Sequence, residues 1–288
     1  ADYEAIVRTP VTGNYRGYEI VSMPPPSSGG IHIVQILNIL EGYPLKDYGQ
    51  NSAQTIHLMS EAMQLAYADR AENIGDSEFV DVPTSGPTAP PYANKLRSLI
   101  DPNKATPAAS IKANNPLPYE SDQTTHFSIV DKDGNMVSMT YTLEFGYGSG
   151  IVVAGGGYLL NNEMGDFNAV PGVTNRRGLI GTAPNLVAPE KRMLSSMTPT
   201  IVAEDGKPVF AVGSPGGKTI INTTLQLILN VIDHGFNIAE SVEAGRIHHQ
   251  WLPDVTSMET NSLSPDTISL YEAKGHRFME REAQGAAM

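Results

Sequence analysis

The chain has no cysteine in its 288 residues. That excludes disulfides and thiolate metal sites, and it leaves both reducing and oxidising compartments open. Basic residues are scarce. Lys and Arg number 19 against 31 Asp and Glu, giving a net charge of -12 and a pI near 5.0. This balance argues against nucleic acid and against anionic membrane surfaces as partners. No apolar run approaches the roughly 18 residues a membrane-spanning helix needs. The opening Ala1-Asp2-Tyr3-Glu4 does not make a signal peptide. No internal repeat is present. The seven His are scattered, and the adjacent pair His248-His249 lacks the spacing of a helical metal site. A structural role is expected for that pair, and no metal or cofactor is expected anywhere.

What is present is enough apolar sequence, 40%, to bury a sizeable core. Residues 15–23 alternate like a strand, and Pro24-Pro25-Pro26-Ser27-Ser28-Gly29-Gly30 breaks it. A helix follows, with Ile33, Leu37 and Leu40 as its stripe, Ser27 or Ser28 as a cap and an end near Glu41-Gly42. The Gly-Gly suits either a tight strand-to-helix turn or an anion cradle, the turn being favoured. A second helix is expected over 52–72, capped at Asn51-Ser52. Residues 74–115 read as surface connection with a short helix over 93–100. Thr124 to Leu143 reads as a β-hairpin turned at 131–135, and Ile151-Val152-Val153 as a buried strand. Residues 168–191 hold three Pro and three Gly and read as a long, lid-like loop. A second hairpin (200–203 with 209–212), an apolar helix over 220–232, a helix over 238–247 and one starting near 264 complete the chain. Hairpins with helices grouped between them suggest an α+β class.

Three sets of residues carry chemical potential. Gly213 to Thr219 resembles a phosphate loop, but only three residues separate Gly213 from Gly217 where four are required. What survives is a pair of exposed backbone N–H groups, an oxyanion hole or anion site. Thr124 is a poor nucleophile unless a base adjoins it. Its own amine would serve if the chain were cut between Gln123 and Thr124. Glu144, Glu163 and Asp166 fall where strands meet glycine turns, with Ser195-Ser196 on a later turn. Converging carboxylates hold an ammonium, and separately such residues are ordinary solvated carboxylates.

Several stretches stand in the order and at the spacing of the γ-glutamyltransferase family. They are Gln123-Thr124-Thr125-His126-Phe127-Ser128, Tyr141-Thr142-Leu143-Glu144, the run from Leu159 to Phe167, Arg192 to Thr200, and Gly213-Ser214-Pro215-Gly216-Gly217. Met23 to Gly30 and Arg246 to Pro253 are also similar to it. The resemblance implies an N-terminal-nucleophile hydrolase built as a four-layer αββα sandwich, incomplete here. It implies self-cleavage between Gln123 and Thr124. Residues 1–123 would then be the end of a large-subunit region and 124–288 a small-subunit region, paired in one structural domain. Thr124 would attack a γ-glutamyl donor such as glutathione, and water or an amino acid or peptide amine would resolve the ester. Thr142 would orient the nucleophile, Gly216 and Gly217 would donate to the oxyanion, Glu144, Glu163 and Asp166 would hold the donor's ammonium, and Ser195 and Ser196 its α-carboxylate. The resemblance further implies a periplasmic or extracellular location. Many members carry Asn where Glu144 stands, and some place a Tyr where Arg177 stands. The family's carboxylate-binding Arg lies in a segment N-terminal to this stretch, and the chain is expected to be truncated at both ends. Two other readings stay open: an acylase for another amide (cephalosporin-type or poly-γ-glutamate), and an unprocessed, inactive fragment.

Overall fold

The computed structural model describes residues 3–111, 124–168 and 183–288. Strands β1 (Val11–Tyr15) and β2 (Tyr18–Ser22) pair as an antiparallel hairpin with Tyr15 opposite Tyr18. Arg16 and Gly17 take φ of 53° and 90°, the left-handed pair that a two-residue hairpin turn requires. The strand expected over 15–23 is β2, begun three residues later, and the β1 that precedes it was not expected. Alternation continues through a two-residue turn, so the periodicity hides it.

Helix α1 (Gly29–Leu40) has 11 buried residues out of 12, because β1, β2 and three helices surround it. Its two leading glycines are sites of close approach. A Cβ would lie 2.4 Å from the Met197 carbonyl oxygen at Gly29 and 2.3 Å from that of Met23 at Gly30. The Gly30 N–H donates to the Met23 carbonyl and the Gly29 N–H to Ser27 Oγ. The tight turn thus accounts for the pair. Ser28 occupies the N-cap position, but its side chain makes no capping bond.

A short α2 (Leu45–Tyr48), which no pattern announced, leads to α3 (Ala53–Asn73). Ser52 caps α3 by accepting the Thr55 N–H at 3.1 Å. Helix α4 (Pro90–Arg97) starts on proline, which is tolerated there because the first-turn N–H groups have no helical partner.

Strands β3 (Thr124–Val130) and β4 (Met136–Thr142) form the expected central hairpin. Val152 meets Leu159 in an isolated bridge only, and Ile151 and Val152 are more than half exposed. The expected buried strand is absent there because glycine turns on both sides leave it without a partner sheet. Strands β5 (Thr200–Glu204) and β6 (Lys207–Val212) form the second hairpin. Helix α5 (Thr219–Ile232) is almost wholly buried.

Helix α6 (Ile238–Glu243) stops four residues short of the expected end. Ile247 is instead the first residue of β7 (Ile247–His248), which joins β8 (Thr256–Glu259) and, after α7 (Pro265–Ala273), β9 (Phe278–Arg281) in a small third sheet.

The main sheet has the order β1-β2-β5-β6, all antiparallel. Helices α1 and α5 pack on it, with α3 behind α1, and the β3–β4 hairpin packs against β5 and β6. The class is α+β. A helical layer, a sheet and a hairpin layer are present, and among the described residues no helix packs substantially on the hairpin. The hairpin's outer side accordingly leaves Ile129, Val137, Met139 and Tyr141 about half exposed.

Candidate active site

The hairpin reverses the usual pattern. Apart from Thr125, Val130 and Met136, its polar residues face inward and its apolar ones outward. Register pairs Thr124 with Thr142, His126 with Thr140 and Ser128 with Ser138, so all six share one face because strand side chains alternate. Ser138 Oγ donates to the Val212 carbonyl at 3.0 Å. His126 is buried, with Nδ1 2.7 Å from Thr140 Oγ1 and Nε2 3.1 Å from Ser128 Oγ. Burial pushes its pKa down to about 4, so the ring is neutral. A Cβ on Gly213 would lie 2.2 Å from it. His126 therefore sets the spacing between the hairpin and the start of the glycine loop, two residues from Thr124 on the same face.

Thr124 is half-buried at the head of β3, directly opposite Thr142. Directly opposed residues bring their Cβ atoms to about 5 Å, hydrogen-bonding range for two hydroxyls. Thr142 Oγ1 accepts the Glu144 N–H at 2.9 Å. Glu144 is buried and holds φ at 71°, a conformation that non-glycine residues adopt at a cost. Asn162 fixes this turn from the other side. Its Oδ1 accepts the Phe145 N–H and its N–H donates to the Leu143 carbonyl, both at 3.1 Å.

One residue further on, a 3-10 turn (Glu163–Asp166) presents two carboxylates. Burial pushes the Glu163 carboxyl up to about 7. Asn185, itself buried, ties this turn to the next loop: its Nδ2 donates to the Asp166 carbonyl at 2.7 Å and its Oδ1 accepts the Leu194 N–H at 2.9 Å. Ser195 follows, held by a bridge to Ser27, by its N–H to the Pro26 carbonyl and by the Ser28 N–H to its own carbonyl.

The glycine loop leaves β6 at Gly213, which exchanges two 3.1 Å backbone bonds with Met288. Gly216 and Gly217 hold φ of 130° and 56° directly ahead of α5. Among the described residues their N–H groups meet no protein acceptor. Donors of this kind at the positive end of a 14-residue helix suit a developing oxyanion.

The structure thus links Thr124, Thr142, Glu144, Glu163, Asp166 and Ser195-Ser196 through strand pairing and hydrogen bonds. The loop that carries Gly216 and Gly217 starts at Gly213, against the His126 ring of the same hairpin. Gln123 and Arg177 lie outside the described residues. Sequence reasoning missed His126 and Asn185, and also Arg70, whose Nη2 donates to Ser196 Oγ at 2.7 Å; each meets these residues through a contact far away in sequence. His248 and His249 are buried among hydrogen bonds to Asn222, Gln250 and the Trp251 N–H, as expected of structural residues. Elsewhere His57, Glu61 and His276 bring ligand atoms within 4.8 Å of one another. The 2.7 Å hydrogen bond between the two rings accounts for that arrangement without a cation.

The profile of the gamma-glutamyltranspeptidase family matches residues 1–288. The chain belongs to that family. It is 54% identical over 286 residues to a glutathione hydrolase proenzyme of Escherichia coli (strain K12), which covers 99% of this chain and 49% of the relative. It is 40% identical to the acylase ACY 1 proenzyme of Pseudomonas sp. (strain SE83), over 96% of this chain and 47% of that one. Among solved structures, the cephalosporin acylase from Bacillus halodurans superposes with a TM-score of 0.78 over 96% of this chain and 48% of that chain. At 24% identity that likeness speaks for the fold alone. The Helicobacter pylori gamma-glutamyltranspeptidase T380A mutant is 45% identical, with a TM-score of 0.54, over 57% of this chain and 88% of that one. The family member described here spans about half the length of the curated relatives it matches. Its fold is the N-terminal-nucleophile hydrolase fold of those neighbours. No helix among the described residues is long and apolar enough to cross a membrane.

Proposed function

We propose that this chain carries the nucleophile half of a γ-glutamyl-transferring and -hydrolysing enzyme that acts on glutathione and related donors outside the cytoplasm. The observation that carries this reading is the register of the central hairpin, which sets Thr124 opposite Thr142 at the head of a face shared with no apolar residue but Val130 and Met136.

Self-cleavage comes first. Thr124 Oγ attacks the Gln123 carbonyl carbon, the peptide nitrogen leaves as the Thr124 amine, and water hydrolyses the resulting ester. Residues 1–123 then belong to the large-subunit region and 124–288 to the small-subunit region, and the two stay paired. In turnover the free amine takes the proton from Thr124 Oγ as the oxygen adds to the donor's γ-carbonyl. Thr142 orients the hydroxyl, and the Gly216 and Gly217 N–H groups receive the oxyanion. Collapse expels the donor's amine, which carries away the proton. Water or an acceptor amine then releases the γ-glutamyl group from Thr124. Glu144, Glu163 and Asp166 hold the donor's ammonium, and Ser195 and Ser196 its α-carboxylate.

Intact mass tests the first step. Cleavage splits the 30.9 kDa chain into pieces of about 13 and 18 kDa by length, and Thr124→Ala should leave it whole. An uncut wild-type chain, or γ-glutamyl release that survives Thr124→Ala, would overturn the proposal. A second reading, an acylase for a different amide, draws on the Pseudomonas relative. A panel of chromogenic amides separates the two, because only the first reading requires a donor with both an α-ammonium and an α-carboxylate.

A further inference from the structure

Arg70, in the last turn of α3, is 7% exposed. Its Nε donates to Ser28 Oγ at 2.9 Å and its Nη2 to Ser196 Oγ at 2.7 Å. No carboxylate among the described residues lies within 4.0 Å of it. After burial, its charge also helps to hold the His32 pKa down at about 3. A buried guanidinium without a counter-ion is costly, and such groups persist where an anion comes to them.

The two serines are set up to receive one. A hydroxyl has one proton to give and lone pairs that accept. Ser196 Oγ accepts from Arg70, and Ser195 Oγ accepts from the Met197 N–H at 3.0 Å. Each oxygen is thus occupied by a donor and keeps its own proton to give. The charged donor also polarises Ser196, which strengthens the bond that its proton makes. Ser28 completes the brace, because its Oγ donates to the Ser195 carbonyl at 2.8 Å while accepting from Arg70.

We propose that Arg70 is a positioning residue for the donor's α-carboxylate: it aims the Ser196 proton at that carboxylate and places a positive charge behind it. The inference rests on the γ-glutamyl reading above and adds a specificity element to it.

The test uses the full-length enzyme, processed and assayed on two anilides, γ-glutamyl and 4-aminobutyryl, which differ only in the α-carboxylate. Arg70→Met should raise KM for the γ-glutamyl anilide about tenfold or more and leave the aminobutyryl anilide within about twofold, the size of a charge-assisted hydrogen bond. Ser196→Ala should give the same selective rise, and the double variant no more than the larger single effect. Equal losses on both anilides, or additive losses in the double variant, would reduce Arg70 to a structural brace. A wild type that does not discriminate the two anilides would overturn the γ-glutamyl reading itself, whatever Arg70 does. If Arg70→Met fails to process or fold, Arg70→Lys decides. Lys keeps the charge but cannot reach both hydroxyls with a planar fork. A selective KM rise then supports the proposal, and an unchanged KM ratio overturns it.

Discussion

Glu163 shows how one side chain couples the site to pH. Its carboxyl is pushed up to about 7 by burial. In the ammonium-holding role proposed for it, the neutral form below that pH would bind poorly, so KM for a γ-glutamyl donor should fall as pH rises through 7. Glu163→Gln should flatten that arm of the pH profile. Stability runs the other way. The folded state keeps a proton that the unfolded chain has already lost, so between the ordinary glutamate pKa and about 7 this residue's contribution falls as pH rises. Gly213 bears on the same site through space. Gly213→Ala would set a methyl group 2.2 Å from the His126 ring. Since that ring is wedged between two hydroxyls, the variant should lose about 1–3 kcal/mol in urea unfolding. Thr124, Thr142, Glu144, Glu163, Asp166 and the serines were all legible as residues, because each sits in a distinctive string. Arg70 and Asn185 were not, because a lone Arg on a helix and a lone Asn in a loop declare nothing until the chain brings their partners to them.

Among elements, the long helices and the hairpins were legible because period and punctuation agreed. For α3 the cap is part of that agreement. Ser52→Ala should cost about 1 kcal/mol by denaturant titration. Where punctuation was hidden, the reading failed. Arg16-Gly17 turns β1 into β2 without interrupting alternation, and α6 yields to β7 because Ile247 and His248 find a partner in β8. Such pairings are long-range, and local pattern carries no trace of them. Asn185 holds two such segments together. Asn185→Ala should lower stability by about 1–3 kcal/mol, since it strips a half-buried carbonyl and a buried N–H of their partner. It should weaken donor binding more than turnover, as a KM-against-kcat comparison would register.

For the molecule as a whole, acid is the vulnerable direction. His32, His248 and His276 are held down to about 3, chiefly by burial, and His126 to about 4. The unfolded chain takes up these protons below about 6.5 while the folded chain refuses them. Their combined effect is that stability falls as pH drops from about 6.5, and Tm followed from pH 7 to 4 should decline steadily. A flat Tm across that range would mean that these imidazoles are not buried as described.

The seven-rung ladder between β3 and β4 has one more consequence. Thr124 is its first rung, so the remaining rungs hold the residue in place whether or not a peptide bond precedes it. A cut there would leave the folded molecule little changed and its unfolded state profoundly changed. One tethered chain would become two separate molecules that must find each other again. Recovery from denaturation would then depend on concentration, and dilution after unfolding would be enough to make the loss permanent.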